Sequence, residues 1–144
     1  MNPFTVPMPG RRRLAAAALA GAVALWATAG GYAAAAPQPG ISRADLQRHD
    51  LDIPGHEAIQ TRVDFAPGAV AARHRHPGEE IVYVLAGSLE YRLDGALPKT
   101  LKAGDVLFIP TGRFHAVANV GQGPASELAT YVVETGKPLV ELAK

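Results

Sequence analysis

The sequence predicts an all-β protein, a sandwich or small barrel, and three observations carry that prediction. From Glu57 onward, glycine and proline turn signals recur at short intervals. The segments between them either alternate apolar with polar residues or form short unbroken apolar runs, the patterns of half-buried and fully buried strands. No strand–helix–strand rhythm runs through the chain, which argues against a parallel sheet flanked by helices.

The elements follow in order. Pro37 to Gly55 is a polar lead-in whose ISRADLQRHDLD stretch is expected to form a short helical turn or an arm lying on the barrel. Ile59, Val63 and Phe65 then alternate with Gln60, Arg62 and Asp64, a half-buried strand. Pro67-Gly68 turns the chain into a strand carrying His74 and His76, which Pro77-Gly78 closes. Glu80 to Leu85 (EIVYVL) is an apolar strand behind an acidic start. After Gly87-Ser88, Leu89, Tyr91 and Leu93 alternate with Glu90, Arg92 and Asp94, and Asp94-Gly95 is a hairpin-type turn. A short strand around Lys99–Lys102 leads through Gly104-Asp105 to a buried strand, Val106–Ile109, stopped by Pro110. Phe114–Val120 carries His115, and LATYVVE (Leu128–Glu134) is the last strand. The expected organisation is a leader at 1–35, a polar arm at 36–56, a barrel at 57–136 and a tail at 137–144 that frays or lies on a neighbour.

Two of these stretches carry chemistry. Side chains two apart on a strand share a face, so His74 and His76 can aim two imidazoles at one point. The Pro77-Gly78 turn can swing Glu80 back toward that point, and His115 lies in a second Gly/Pro-punctuated stretch. Three neutral imidazoles and a carboxylate would make a metal site with coordination positions left open. An H-x-H pair alone reads first as two strand histidines with their rings in solvent. His49 and His56 fall outside both stretches and read as solvated loop residues.

The complete pattern is more specific. Gly68, His74, His76, Glu80 and Gly87 match G-x5-H-x-H-x3-E-x6-G, and Gly104, Pro110, Gly112, His115 and Asn119 match G-x5-P-x-G-x2-H-x3-N. These resemble the two signature motifs of the cupin superfamily, as found in its small single-domain bacterial members. At about 5% usage per residue type, a chance match at one alignment is on the order of one in 10^13. The resemblance implies a double-stranded β-helix (jelly-roll) barrel and a metal held by His74, His76, Glu80 and His115. It leaves the reaction open, because the superfamily includes dioxygenases, isomerases, lyases, decarboxylases and non-enzymatic binding domains. Resemblance to quercetinase-type cupins implies that Glu80 is both the fourth ligand and a catalytic base. The donor set suits Fe, Mn, Ni or Co, with Zn or Cu binding more tightly in the affinity series.

Residues 1–35 read as an export signal. Arg11, Arg12 and Arg13 precede an alanine- and leucine-rich run ending at Ala33–Ala36 before Pro37, with cleavage expected after Ala35. The arginines also fit a relaxed twin-arginine signal. The run is long enough to span a bilayer, so a retained anchor competes with cleavage, although alanine adds less insertion free energy than leucine. The chain has fourteen basic and thirteen acidic residues; the leader takes three of the basic ones, leaving a slightly acidic exported part without a basic patch. Nucleic acid and, once the leader is removed, membrane surfaces are therefore not expected partners. With no cysteine, disulfides and thiolate chemistry are unavailable, which is compatible with a periplasmic or secreted location.

Strand parity sharpens the site. If His74 and His76 point inward, Arg73 and Arg75 point outward; if Glu80 points inward, so do Val82 and Val84. A small apolar pocket lined by Val82, Val117, Phe108 and Phe114 is expected. No second carboxylate is obvious inside the barrel. Ile81, Tyr83 and Leu85 then make the opposite face apolar as well, and such a strand needs cover on both sides. A homodimer burying these three is the expected cover, with an arm of the same chain as the alternative. Two functions fit: a metal-dependent enzyme, dioxygenase- or lyase-like, acting on a small organic molecule, and a non-catalytic small-molecule or metal-binding module.

Overall fold

The computed structural model describes residues 37–144, and the expected leader lies outside the described residues. Among the described residues, ten strands form two five-stranded antiparallel sheets. In chain order they are β1 (Ile41–Asp50), β2 (His56–Phe65), β3 (Val70–Arg75), β4 (Gly78–Ala86), β5 (Ser88–Leu93), β6 (Lys99–Lys102), β7 (Val106–Ile109), β8 (His115–Asn119), β9 (Ala125–Glu134) and β10 (Glu141–Leu142). One sheet runs β1-β2-β9-β4-β7 and the other β10-β3-β8-β5-β6. The sequence prediction of an all-β jelly-roll barrel holds.

Alternation builds the core. On β2, Ile59, Thr61, Val63 and Phe65 are buried; on β4, Glu80, Val82 and Val84; on β9, Glu127, Ala129, Tyr131 and Val133. From the facing sheet come Ala71, Leu89, Tyr91, Leu101 and Val117. Gly78 marks the place where β4 enters against β9. A Cβ there would lie 2.0 Å from the Val132 carbonyl oxygen, so only glycine permits this approach.

Asn119 locks the far end of β8. Its side-chain NH2 group donates to the carbonyls of Phe65 (3.2 Å), Ala66 (3.1 Å) and Gly123 (2.9 Å), while its Oδ1 accepts from the Gly121 N–H (2.9 Å). One buried amide thus ties together the backbone of two turns.

Three expectations need correction. The lead-in is not a helical turn: residues 41–50 lie against the barrel as a regular strand, β1, paired with β2 and interrupted by a bulge between Asp45 and Gln47. Val106–Ile109 is not buried throughout, because Ile109 faces inward beside Glu80 while Val106 and Phe108 are exposed. The tail does not fray: Glu141 and Leu142 pair with Arg75 and His74 of β3. Short polar segments at sheet edges carry little hydrophobic pattern, so their pairing was not legible.

Candidate metal centre

Each donor is placed by its strand. His74 comes from β3 and His115 from β8, directly opposite each other in the register. A bulge between Ala71 and His74 shifts the parity of β3, so that both residues point inward. His76 stands just past β3, and Glu80 arrives from β4 in the facing sheet. All four are buried, whereas Arg73 and Arg75 lie on the outside, as parity required.

The three imidazoles converge, with one ligand atom from each lying within 4.8 Å of the others. Glu80 Oε2 lies 3.1 Å from His76 Nε2 and 3.3 Å from His115 Nε2. The other ring nitrogens are committed elsewhere. Nδ1 of His74 contacts the Ala72 carbonyl (2.6 Å), Nδ1 of His76 the Leu139 carbonyl (2.6 Å) and Nδ1 of His115 the Arg113 carbonyl (3.1 Å). A carbonyl oxygen only accepts, so each Nδ1 carries the proton and each Nε2 is left as a lone pair facing the cluster.

The electrostatics agree. Burial, reinforced by His115 and His76, lowers the His74 pKa to about 3, so this ring is neutral and able to ligate. Burial pushes the Glu80 carboxyl up, but His115 and His76 outweigh it and hold the group well below the usual carboxylate range. Burial likewise works against charging His115, yet Glu80 raises it on balance. The buried carboxylate therefore demands positive charge, which a protonated His115 or a divalent cation can supply. His76 Nε2 and Glu80 Oε2 have no hydrogen-bond partner although both are buried. Among the described residues, these are the orphaned polar atoms that a shared cation would satisfy.

Residues 61–131 match the family model described as "Cupin domain". The chain belongs to the cupin superfamily. A germin-like protein of Arabidopsis thaliana (subfamily 2 member 2) is 38% identical over 87 residues, covering 55% of this cupin and 40% of that protein. Germin-like protein 1-1 of Oryza sativa subsp. japonica is 39% identical over 75 residues, covering 49% and 35%. The cupin thus spans about two-fifths of the length of the curated relatives it matches. Among solved structures, a DMSP lyase from Ruegeria pomeroyi superposes with TM-score 0.55 at 29% identity, over 60% of this chain and 43% of that one. An oxalate oxidase in complex with glycolate gives 0.59 at 25%, over 75% and 57%. An uncharacterised double-stranded β-helix protein from Klebsiella pneumoniae gives 0.59 at 26%, over 75% and 89%.

The cupin interior differs from expectation in two respects. Val82 and Val117 are buried, two residues on from Glu80 and His115, but Phe108 and Phe114 turn away from the cluster. Phe108 is 57% exposed and sits opposite Ile81 on the outer face of its sheet. Phe114 lies under the guanidinium groups of Arg73 (4.3 Å) and Arg75 (4.9 Å), outside the barrel. In four-residue apolar runs, both faces look alike from sequence alone. Tyr131 takes an inner place instead, its ring 4.7 Å from that of His76.

A second carboxylate does lie inside. Glu127 is buried on β9 and accepts a hydrogen bond from the Tyr91 hydroxyl of the facing sheet. Burial, then the charge of Glu80, pushes its carboxyl up to about 8, against the pull of Tyr91. Counting back in twos from Tyr131 through Ala129 reaches Glu127, so the signal was present in the alternation. His49 and His56 stay outside the centre: His49 is exposed on β1, and the His56 ring contacts the Pro54 carbonyl (3.1 Å).

Proposed function

We propose that this cupin is a metal-dependent enzyme acting on a small organic molecule by oxidase- or lyase-type chemistry. The observation that carries the reading is the convergence of three Nε2 lone pairs and one ionised carboxylate in the buried interior of the barrel. His74, His76 and His115 would hold the metal as neutral imidazoles, with Glu80 as fourth ligand. A divalent cation there supplies Lewis acidity and open positions for a substrate oxygen. Fe, Mn, Ni or Co fits the mixed nitrogen and oxygen donors, and Zn or Cu would compete. The Glu80 and Glu127 carboxyls are pushed in opposite directions, which suits Glu80 to binding charge and Glu127 to holding a proton at neutral pH.

The solved neighbours named for oxalate oxidase and DMSP lyase support enzyme activity and suggest small organic acids as first substrates. Metal-stripped protein reloaded singly with each metal should turn over at least one of oxalate, glycolate, DMSP, a flavonol or a diketone. Loaded protein that binds such compounds without converting any of them would favour the non-catalytic binding module. The basic, alanine-rich start supports an exported location for this chemistry.

We further propose that the active form is a homodimer. Ile81, Tyr83 and Leu85 of β4 are 45%, 45% and 41% exposed, and Val106 and Phe108 of β7 extend the same face. Glu79 begins the outward row of β4, and from Ile81 to Leu85 that row is apolar. A two-fold axis would lay the patch on its own copy and cover it isologously. Tyr83→Arg should lower the mass measured by light scattering from dimer to monomer; an unchanged mass would remove this face from the interface.

A further inference from the structure

His74 and His115 are oriented locally, by carbonyls two residues before them. His76 is different, because its Nδ1 partner is the Leu139 carbonyl, 63 positions away. That carbonyl belongs to the C-terminal segment, which is fastened at three further points. β10 pairs with β3 at His74 and Arg75, the Ala143 N–H donates to the Arg73 carbonyl (2.9 Å), and the Arg75 guanidinium makes two bonds to Glu141 (3.0 and 2.7 Å). Leu139 itself packs against the core. Among the described residues, no other group accepts a hydrogen bond from His76 Nδ1, so without the Leu139 carbonyl nothing would keep the proton there. A proton on Nε2 would leave no lone pair toward Glu80 and the other rings.

We propose that residues 139–143 are a positioning strap that selects the ligating tautomer of His76, coupling metal binding to docking of the C-terminal strand. The proposal rests on the four-ligand metal reading. Coupling is reciprocal: if the docked strap tightens metal binding by some factor, the metal must disfavour release of the strap by the same factor.

The test compares the full chain, a chain ending at Pro138 and Glu141→Lys, each checked for folding by circular dichroism, with Zn(II) alone as probe. Loss of an outer-shell partner costs 10–100-fold in metal affinity, and the shortened chain should fall in that range. Glu141→Lys, whose fold does not depend on losing Leu139, should bind severalfold more weakly, and the exchange Arg75→Glu/Glu141→Lys should recover most of the loss. In the full chain, zinc should slow hydrogen exchange at the Ala143 amide. Imidazole 15N shifts of metal-free protein should show His76 protonated at Nδ1 in the full chain and mixed in the shortened one. Equal zinc affinity in all three chains overturns the strap while leaving the metal reading intact. Failure of the full chain to bind zinc overturns the metal reading instead. The 15N shifts then decide the strap on their own: mixed tautomers in the full chain overturn it, and a change between the two chains supports it.

Discussion

Replacing His115 with alanine is expected to abolish metal-dependent stabilisation of the barrel. A ligand at about 1,000 times its Kd stabilises the folded state by about 4 kcal/mol. For a domain near 100 residues, each 1 kcal/mol moves Tm by about 4–8 °C, so Mn(II) should raise the wild-type Tm by roughly 15–30 °C. His115 provides one of three imidazole donors and lies within 3.3 Å of the Glu80 carboxylate. Its removal should cost more than the 10–100-fold associated with outer-shell partners, and the shift should vanish at the same metal concentration. Phe108→Ala, on the outer face, is the control and should keep the full shift. Scanning calorimetry with and without metal measures both. An undiminished shift in His115→Ala would remove His115 from the centre.

Glu127→Gln should change the pH dependence of stability strongly. The folded-state pKa of Glu127 is raised to about 8, well above that of an unfolded glutamate. Below about pH 4 both states hold the proton and the group costs nothing. Between about pH 4 and pH 8 the unfolded chain releases its proton while the folded one keeps it, so stability falls as pH rises. Above about pH 8 both states are ionised and the loss is complete. At 1.36 kcal/mol per unit, the whole effect is on the order of 3–5 kcal/mol. Glutamine keeps the neutral shape and can still accept from Tyr91, so the variant should match wild type near pH 4 and exceed it by that amount near pH 9. Urea denaturation of metal-free protein across this range reads the difference. Parallel curves for the two proteins would mean that Glu127 is already ionised in the native state.

Much of the centre was legible because its spacing is fixed by backbone geometry. His74 and His76 share a face by strand periodicity, and the Pro77-Gly78 corner returns Glu80 toward them in the facing sheet. His115 lies far away in sequence, and only the full ten-residue pattern connected it to the others. The missed features share a physical cause. Edge strands such as β1, mostly exposed on both faces, and the two-residue β10 leave no periodic trace. Phe108 and Phe114 are aromatic residues beside a site, and size alone suggested a pocket wall; cross-strand register decided otherwise for Phe108. Glu127 was overlooked because an acidic residue in a strand is ordinarily assigned to solvent. Here a tyrosine from the opposite sheet makes its burial tolerable.

The seam between the sheets gives the arrangement a mechanical meaning. Two imidazoles belong to one layer, the carboxylate to the other, and His76 to the corner joining them. A cation gripped by all four would rivet the layers together and close a long loop in the chain, as a cross-link does in a secreted domain. With no cysteine to serve that purpose, chelation should loosen the whole barrel, and its resistance to proteases should track its metal content.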